Sequence, residues 1–234
     1  MKNTGGSLPM YLQIAEMLVR EVAAGRLIDG EKLAPERDMA ADLGIAVGTL
    51  RKSLAEVQER GRRECVRGSG SAIRAVSDPQ GVDAFFRLEL VEGGGLPTAE
   101  VLDVARLAKP AALPAFGTSA EGHRIRRLRR IAGKPAAIEE IWLDGSYVDT
   151  IAIENMSESL YLYYRTRLNL WISKAEDRID LGDVPEWAPE AFGQKPGAPV
   201  PRVLRLSQAQ DGAVAEVSWT WFDHTVARYV SRIR

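Results

Sequence analysis

Leu33-Ala34-Pro35-Glu36-Arg37-Asp38-Met39-Ala40-Ala41-Asp42-Leu43-Gly44-Ile45-Ala46-Val47-Gly48-Thr49-Leu50-Arg51-Lys52-Ser53-Leu54 places two helical patterns on either side of a glycine. Over 36–43, Met39, Ala40 and Leu43 share an inner face. Pro35 suits the first turn, where a missing N–H costs no hydrogen bond. Gly44 follows as a left-handed cap residue, a conformation that glycine adopts without a Cβ penalty. A second helix is predicted from about Val47 to Arg60, with Leu50, Leu54 and Val57 on one face and Gly61 at its end. The Gly44-Ile45-Ala46 turn sets this helix across the one before it.

Upstream, residues 9–24 carry Tyr11, Ile14, Ala15, Leu18 and Val22 at helical spacing, and Gly25 supplies a stop. Downstream, residues 65–73 have apolar strand-like ends around a Gly68-Ser69-Gly70 tip, the pattern of a hairpin. Three helices and a glycine-tipped hairpin form a winged helix-turn-helix pattern. A helix of this kind fits a major groove with its N-terminal residues against base edges. The candidates there are Gly48, Thr49, Arg51 and Lys52. Arg51 can pair bidentately with a guanine edge or clamp a phosphate. Thr49 can donate to a phosphate or touch a thymine methyl, and Gly48 lets the backbone approach closely. Gly68 and Gly70 let the wing lie near the minor groove. Between Arg51 and Arg74 the basic residues Arg51, Lys52, Arg60, Arg62, Arg63, Arg67 and Arg74 face only Glu56, Glu59 and Glu64. A solvated helix face beside an ordinary hairpin is the alternative on spacing alone.

A length of 234 residues fits one large domain or two modest ones. Hydrophobic residues at 45% and charged residues at 27% suit a soluble chain with a real core. A net charge of −1 gives no global basic field, so a DNA-binding surface must be local. The single cysteine, Cys65, excludes an internal disulfide and zinc sites built on several cysteines. His123 and His224 show no ligand spacing, so neither a metal nor a cofactor is expected. The N-terminus lacks the apolar core of a signal peptide, and no stretch approaches the ~20 apolar residues of a membrane span. A cytoplasmic protein with no membrane partner is expected.

Ser77-Asp78-Pro79-Gln80-Gly81 clusters turn formers after the first unit, which predicts domains at 8–76 and 82–234. In the second, residues 124–143 read as two strands around a Gly133-Lys134-Pro135 turn. A helix is predicted over 159–167, and strands over 168–179 and 200–210. Asp211-Gly212 marks a hairpin before a Trp-rich strand at 214–222. Strands with a few helices make this unit α+β.

The stretch 33–54 resembles the signature of the GntR family of transcription regulators, usually L-P-S-E-R-x-L-A-x-x-x-G-V-S-R-x-T-V-R-x-A-L. The wing, usually G-x-G-T-x-V, is matched by Gly68-Ser69-Gly70-Ser71-Ala72-Ile73. The resemblance implies that Arg37, Thr49, Arg51 and Gly68 sit at double-stranded operator DNA, with Arg67 beside them. Three departures stand out. Ala46-Val47 replaces Ser-Arg and removes a usual DNA-contacting arginine, Arg62-Arg63 replaces Leu-Leu, and Cys65 replaces a common wing arginine. Glu36, acidic at the DNA side, either positions Arg37 or serves as a plain acid at a helix N-terminus.

From about Val82 to Arg234 the chain resembles the effector domain of the HutC-like branch of that family. This UTRA domain is an antiparallel-sheet fold shared with chorismate lyase. The anchors are Arg127-Leu128-Arg129, Gly133-Lys134-Pro135 and Glu139 for R-x-R…G-x-P…E. Ser159-Leu160-Tyr161 stands for S-L-Y, and Glu216-Val217-Ser218 for the closing V-E-x-S. Two apart on a strand, Arg127 and Arg129 face one side and repel unless an anion or carboxylate sits between them. Glu139 on the next strand either balances them as a structural pair or binds a ligand hydroxyl or amine. Ser159 and Tyr161 add hydroxyls, with a helix cap and a core aromatic as their plain alternatives. Glu216 either binds ligand or faces solvent. With the resemblance, Arg127, Arg129, Glu139, Ser159, Tyr161 and Glu216 are expected to hold a small anionic effector. The resemblance implies a homodimeric repressor that the effector releases. No catalytic triad, phosphate loop or metal motif occurs. A lyase-type enzyme acting on a small carboxylate is the rival from another class.

Overall fold

The computed structural model describes residues 9–23, 34–59, 63–66, 70–73, 87–93, 97–153, 156 and 159–231. The chain divides into two compact units, with Leu88–Val230 forming the larger part of one. The expected boundary at 77–81 lies outside the described residues.

In the smaller unit, α1 is Met10–Ala23, α2 is Glu36–Asp42 and α3 is Val47–Glu59. Ile14, Ala15 and Leu18 of α1 are buried, as are Leu50, Leu54 and Val57 of α3. Of the expected inner face of α2 only Ala40 is fully buried, with Met39 and Leu43 half-buried. Pro35 is the N-cap rather than the first helical residue, and its carbonyl accepts from the N–H groups of Asp38 and Met39. Gly44 has φ +63° and its N–H donates to the Ala41 carbonyl. The next N–H, of Ile45, donates to Ala40, so the turn closes the helix and redirects the chain. β1 (Arg63–Val66) and β2 (Gly70–Ile73) pair antiparallel, with Val66 opposite Gly70. The expected tip, including Arg67 and Gly68, and the departure Arg62 lie outside the described residues. Arg63 stands opposite Ile73.

The larger unit contains β3 (Leu88–Leu90), β4 (Pro97–Ala108), β5 (Glu121–Ile131), β6 (Lys134–Asp144) and α4 (Leu160–Arg167). It continues with β7 (Ile172–Asp183), a short 3-10 turn at Glu190–Phe192, β8 (Pro199–Ala209), β9 (Val214–Phe222) and β10 (Ala227–Tyr229). Six strands form an antiparallel sheet in the order β4-β5-β6-β9-β8-β7, and β10 pairs with β3 separately. Ala132 (φ +48°) and Gly133 (φ +78°) join β5 to β6 in a two-residue turn of the primed kind, which matches strand twist. The turn is thus one residue earlier than expected, and Lys134 and Pro135 already belong to β6. Pro135 lies beside a bulge between Arg129 and Arg130, where a missing N–H is tolerated. β7 begins later than expected, because Asn169 (φ +51°) ends α4 and the chain turns before entering the strand.

Alternation divides the sheet into two unlike faces. One carries Leu128, Ile138, Val200 and Trp221, packed with Val184 and Phe192 from the connection after β7. Beside it, Leu113 and Phe116 from the β4–β5 connection cover Trp142 and Val217. The other face carries Ile125, Arg127 and Arg129 on β5, and Glu139 and Ile141 on β6. Glu216, Ser218 and Thr220 continue it on β9, and Arg205 and Ser207 on β8. That face is polar and largely buried, with hydroxyls of α4 reaching it.

Candidate functional sites

At the start of α3, Gly48, Arg51 and Lys52 are exposed and Thr49 is half-buried. Ser53 is buried and donates to the Thr49 carbonyl at 2.9 Å, one turn back on the same helix. On α2, Arg37 is exposed. Glu36 does not hold the expected guanidinium. Its Oε2 accepts from Nε of Arg51 at 2.7 Å, joining the first turn of α2 to α3. The pair forms because the turn at Gly44 brings position 51 back over position 36, a proximity that linear spacing does not reveal.

On the polar sheet face, Arg127 and Glu139 are directly opposed across β5 and β6. Nε of Arg127 donates to Oε2 of Glu139 at 2.9 Å, and Nη2 lies 2.6 Å from the same oxygen. Nε of Arg129 stands 3.9 Å from Oε1. All three residues are buried. Burial pushes the Glu139 carboxyl up, but the charges of Arg127 and Arg129 and the Arg127 hydrogen bond outweigh it. The group is held below the usual carboxylate range.

Glu216, on β9, is also buried rather than facing solvent. Its Oε2 accepts from the Tyr164 hydroxyl at 2.7 Å, and its Oε1 accepts from Ser207 at 3.0 Å and from Tyr161 at 3.3 Å. The hydroxyls of Tyr161 and Ser207 are 3.0 Å apart. Burial raises the Glu216 carboxyl, and the Tyr164 and Ser207 hydrogen bonds do not overcome it. Desolvation and Glu216 together push both tyrosines up, so they remain protonated donors. Ser159 is the N-cap of α4, its Oγ accepting from the Leu162 N–H at 3.4 Å.

Four residues at this face went unread in the sequence: Tyr164, Ser207, Arg205 and Asp177. Tyr164 is three positions after Tyr161, the spacing of one helix face, and that signal was available. Arg205 and Ser207 share alternation on β8 but match no motif. Asp177 accepts from Arg205 at 2.6 Å on each oxygen and from Tyr229 at 2.5 Å.

The two acids titrate in opposite senses. Glu139, lowered in the fold, contributes stability that is present above its unfolded pKa and lost as pH falls through its folded value. Glu216, raised in the fold, contributes stability that is present at low pH and lost as pH rises through its folded value. Glu216→Gln keeps an acceptor for Tyr164 and removes the buried charge. The variant is expected to melt higher than the parent at pH 8 and nearly equal to it at pH 4. A difference in melting temperature that is the same at both pH values would show that Glu216 charge is not the cause.

A winged-helix unit and an antiparallel sheet unit with a buried polar face, in one chain, define a DNA-binding transcriptional regulator. The UTRA domain family matches residues 92–228. The HTH-type transcriptional regulator SmoD of Agrobacterium fabrum (strain C58) is 92% identical over 234 residues, which cover 100% of each chain. The crystal structure of YydK from Bacillus subtilis, a possible transcriptional regulator, overlays with a TM-score of 0.54 at 22% identity. The overlay covers 97% of this chain and 100% of that one. The ligand-binding domain of a Bordetella bronchiseptica protein assigned to the GntR family gives a TM-score of 0.57 at 22% identity, covering 64% of this chain and 98% of that one. The chain belongs to the UTRA domain family and, by its likeness to SmoD over its whole length, to the HTH-type transcriptional regulators. Among the described residues, no helix is long and apolar enough to cross a membrane.

Proposed function

We propose that this regulator is a cytoplasmic homodimeric repressor released from its operator by a small anionic metabolite bound at the polar sheet face. One observation carries the reading. Arg127, Glu139, Tyr161 and Glu216, from three strands and a helix, converge on one buried face with Arg129 beside them. Burying several charges costs more than an apolar core would, so a face retained in this form fits recognition of a polar ligand. Arg127 and Arg129 would take an anionic group such as a carboxylate or phosphate, and Glu139, Ser159, Tyr161 and Glu216 its other polar groups. The direct register of Arg127 on Glu139 favours a second reading, a purely structural ion pair.

In the first reading the protein acts by binding and not by catalysis. Effector must favour one arrangement over the other, because only differential affinity moves such an equilibrium. The recognition residues are Arg37, Gly48, Thr49, Arg51 and Lys52, with Arg67 and Gly68 on the wing and Glu36 behind Arg51. A thermal-shift screen of the full chain against small carboxylates and phosphorylated metabolites tests the effector site, since binding to the folded state raises its melting point. A hit should also dissociate an operator fragment. A hit that stabilises the Arg127→Ala/Arg129→Ala variant as much as the parent would place the ligand elsewhere.

A further inference from the structure

We propose that Tyr161, Arg205, Asp177 and Tyr229 form a hydrogen-bonded row that couples the effector face to the β3–β10 ribbon, where the chain passes between its two units. The row rests on the effector reading above and supplies the regulation of that site. It starts at Tyr161 on α4, whose hydroxyl donates to Oε1 of Glu216 at 3.3 Å and stands 3.0 Å from that of Ser207. Arg205 on β8 hydrogen-bonds the same hydroxyl. Nε and Nη2 of Arg205 reach Oδ1 and Oδ2 of Asp177, its register partner on β7, each at 2.6 Å. Oδ2 also accepts from the Tyr229 hydroxyl at 2.5 Å. Tyr229 is on β10, opposite Leu88 of β3. The division between the units falls between Arg87 and Leu88 and again between Val230 and Ser231, so both passages of the chain adjoin this pair.

Each link is directional. A guanidinium only donates, so the phenol oxygen of Tyr161 accepts from Arg205, and its one proton is left for Glu216, Ser207 or an acceptor oxygen of an effector. An effector that takes this proton draws Tyr161 from Glu216, where its 3.3 Å contact is longer than those of Tyr164 and Ser207 at 2.7 and 3.0 Å. The bond from Arg205 changes with it. The guanidinium is a planar fork with two prongs on Asp177, so it tilts as one body and carries the carboxylate along. One oxygen of that carboxylate serves both Nη2 and Tyr229, so the displacement reaches β10 directly. The side chains of Arg205 and Asp177 are 17% and 12% exposed, which shields the pair from the screening that weakens surface ion pairs. Charge-assisted bidentate bonds are short and geometrically specific, and contiguous networks of them can carry coupling between sites. Packing alone would be met at lower cost by apolar side chains than by a shielded charge pair.

Amide hydrogen exchange of the full chain, read on the ribbon and on β6, tests the row. Tyr161→Phe removes one hydroxyl at the effector end and keeps the ring. It is expected to speed exchange over residues 88–91 and 226–229 by about tenfold and to leave β6 unchanged. In a Tyr229→Phe background the same change is expected to add less than about twofold, because the row is already cut at its far end. Ser207→Ala removes another partner of the Tyr161 hydroxyl and should repeat the pattern, which keeps the test decisive if the first variant folds poorly. No acceleration at the ribbon, an equal acceleration in β6, or an equal effect with and without the Tyr229 hydroxyl would overturn the row. The cycle uses no effector, so such a result would strike the row alone. A thermal-shift hit indifferent to Arg127→Ala/Arg129→Ala would instead strike the effector reading, and with it the signal that the row is proposed to carry.

Discussion

Arg127→Ala is expected to abolish operator release by effector while leaving effector-free operator affinity within about twofold, because the recognition helix belongs to the other unit. The same change should destabilise the sheet unit by about 3–5 kcal/mol, the usual cost of breaking a buried ion pair. The physical reason is the environment of Glu139. Its carboxylate sits in a buried face and is held ionised mainly by Arg127 at 2.6–2.9 Å, with Arg129 at 3.9 Å. Removing the nearer guanidinium leaves a desolvated charge without its direct hydrogen bonds. The double change Arg127→Met/Glu139→Gln removes both charges and should recover most of the stability but none of the effector response. Thermal unfolding and fluorescence anisotropy of a labelled operator measure the two effects separately. Recovery of effector response along with stability in the double variant would leave Arg127 and Glu139 as a structural pair and nothing more.

Arg51→Ala is expected to cost roughly 1–3 kcal/mol of specific operator affinity, if the guanidinium makes a bidentate base contact. The side chain is 68% exposed, so its loss should leave the fold intact. Its Nε is engaged by Glu36, an arrangement that fixes one edge of the guanidinium and orients the other. Glu36→Gln should therefore weaken specific binding less than Arg51→Ala does, and should weaken nonspecific binding hardly at all. Titrations against operator and scrambled duplexes at fixed salt provide the check. Equal losses on both duplexes for Arg51→Ala would assign this arginine to phosphate and not to base reading.

The legibility of the two units differs for local reasons. The winged-helix elements were visible because each signal is short in range: a buried stripe at helical spacing, Pro35 at an entry and Gly44 at an exit. The β5–β6 hairpin was legible for the same reason, although its turn shifted by one residue. Unlike β7 at the opposite edge, β4 went unread because its sequence lacks a clear alternation. Its side chains are half-buried on both faces and a bulge between Val101 and Asp103 breaks its alternation.

By itself the sequence determined the order of the units, the helix-turn-helix geometry and the strand positions of Arg127, Arg129 and Glu139, since these follow from periodicity and turn chemistry over a few residues. Only the tertiary structure decided that β9 lies between β6 and β8, and this order carries Glu216 and Arg205 onto the face of Arg127. It likewise decided that Glu36 holds Arg51, that Tyr164 reaches Glu216, and that β7 forms an edge. Such pairings depend on strand order and on the path of the chain between distant elements. They are set by burial of the whole sheet, and no local stretch of residues encodes them.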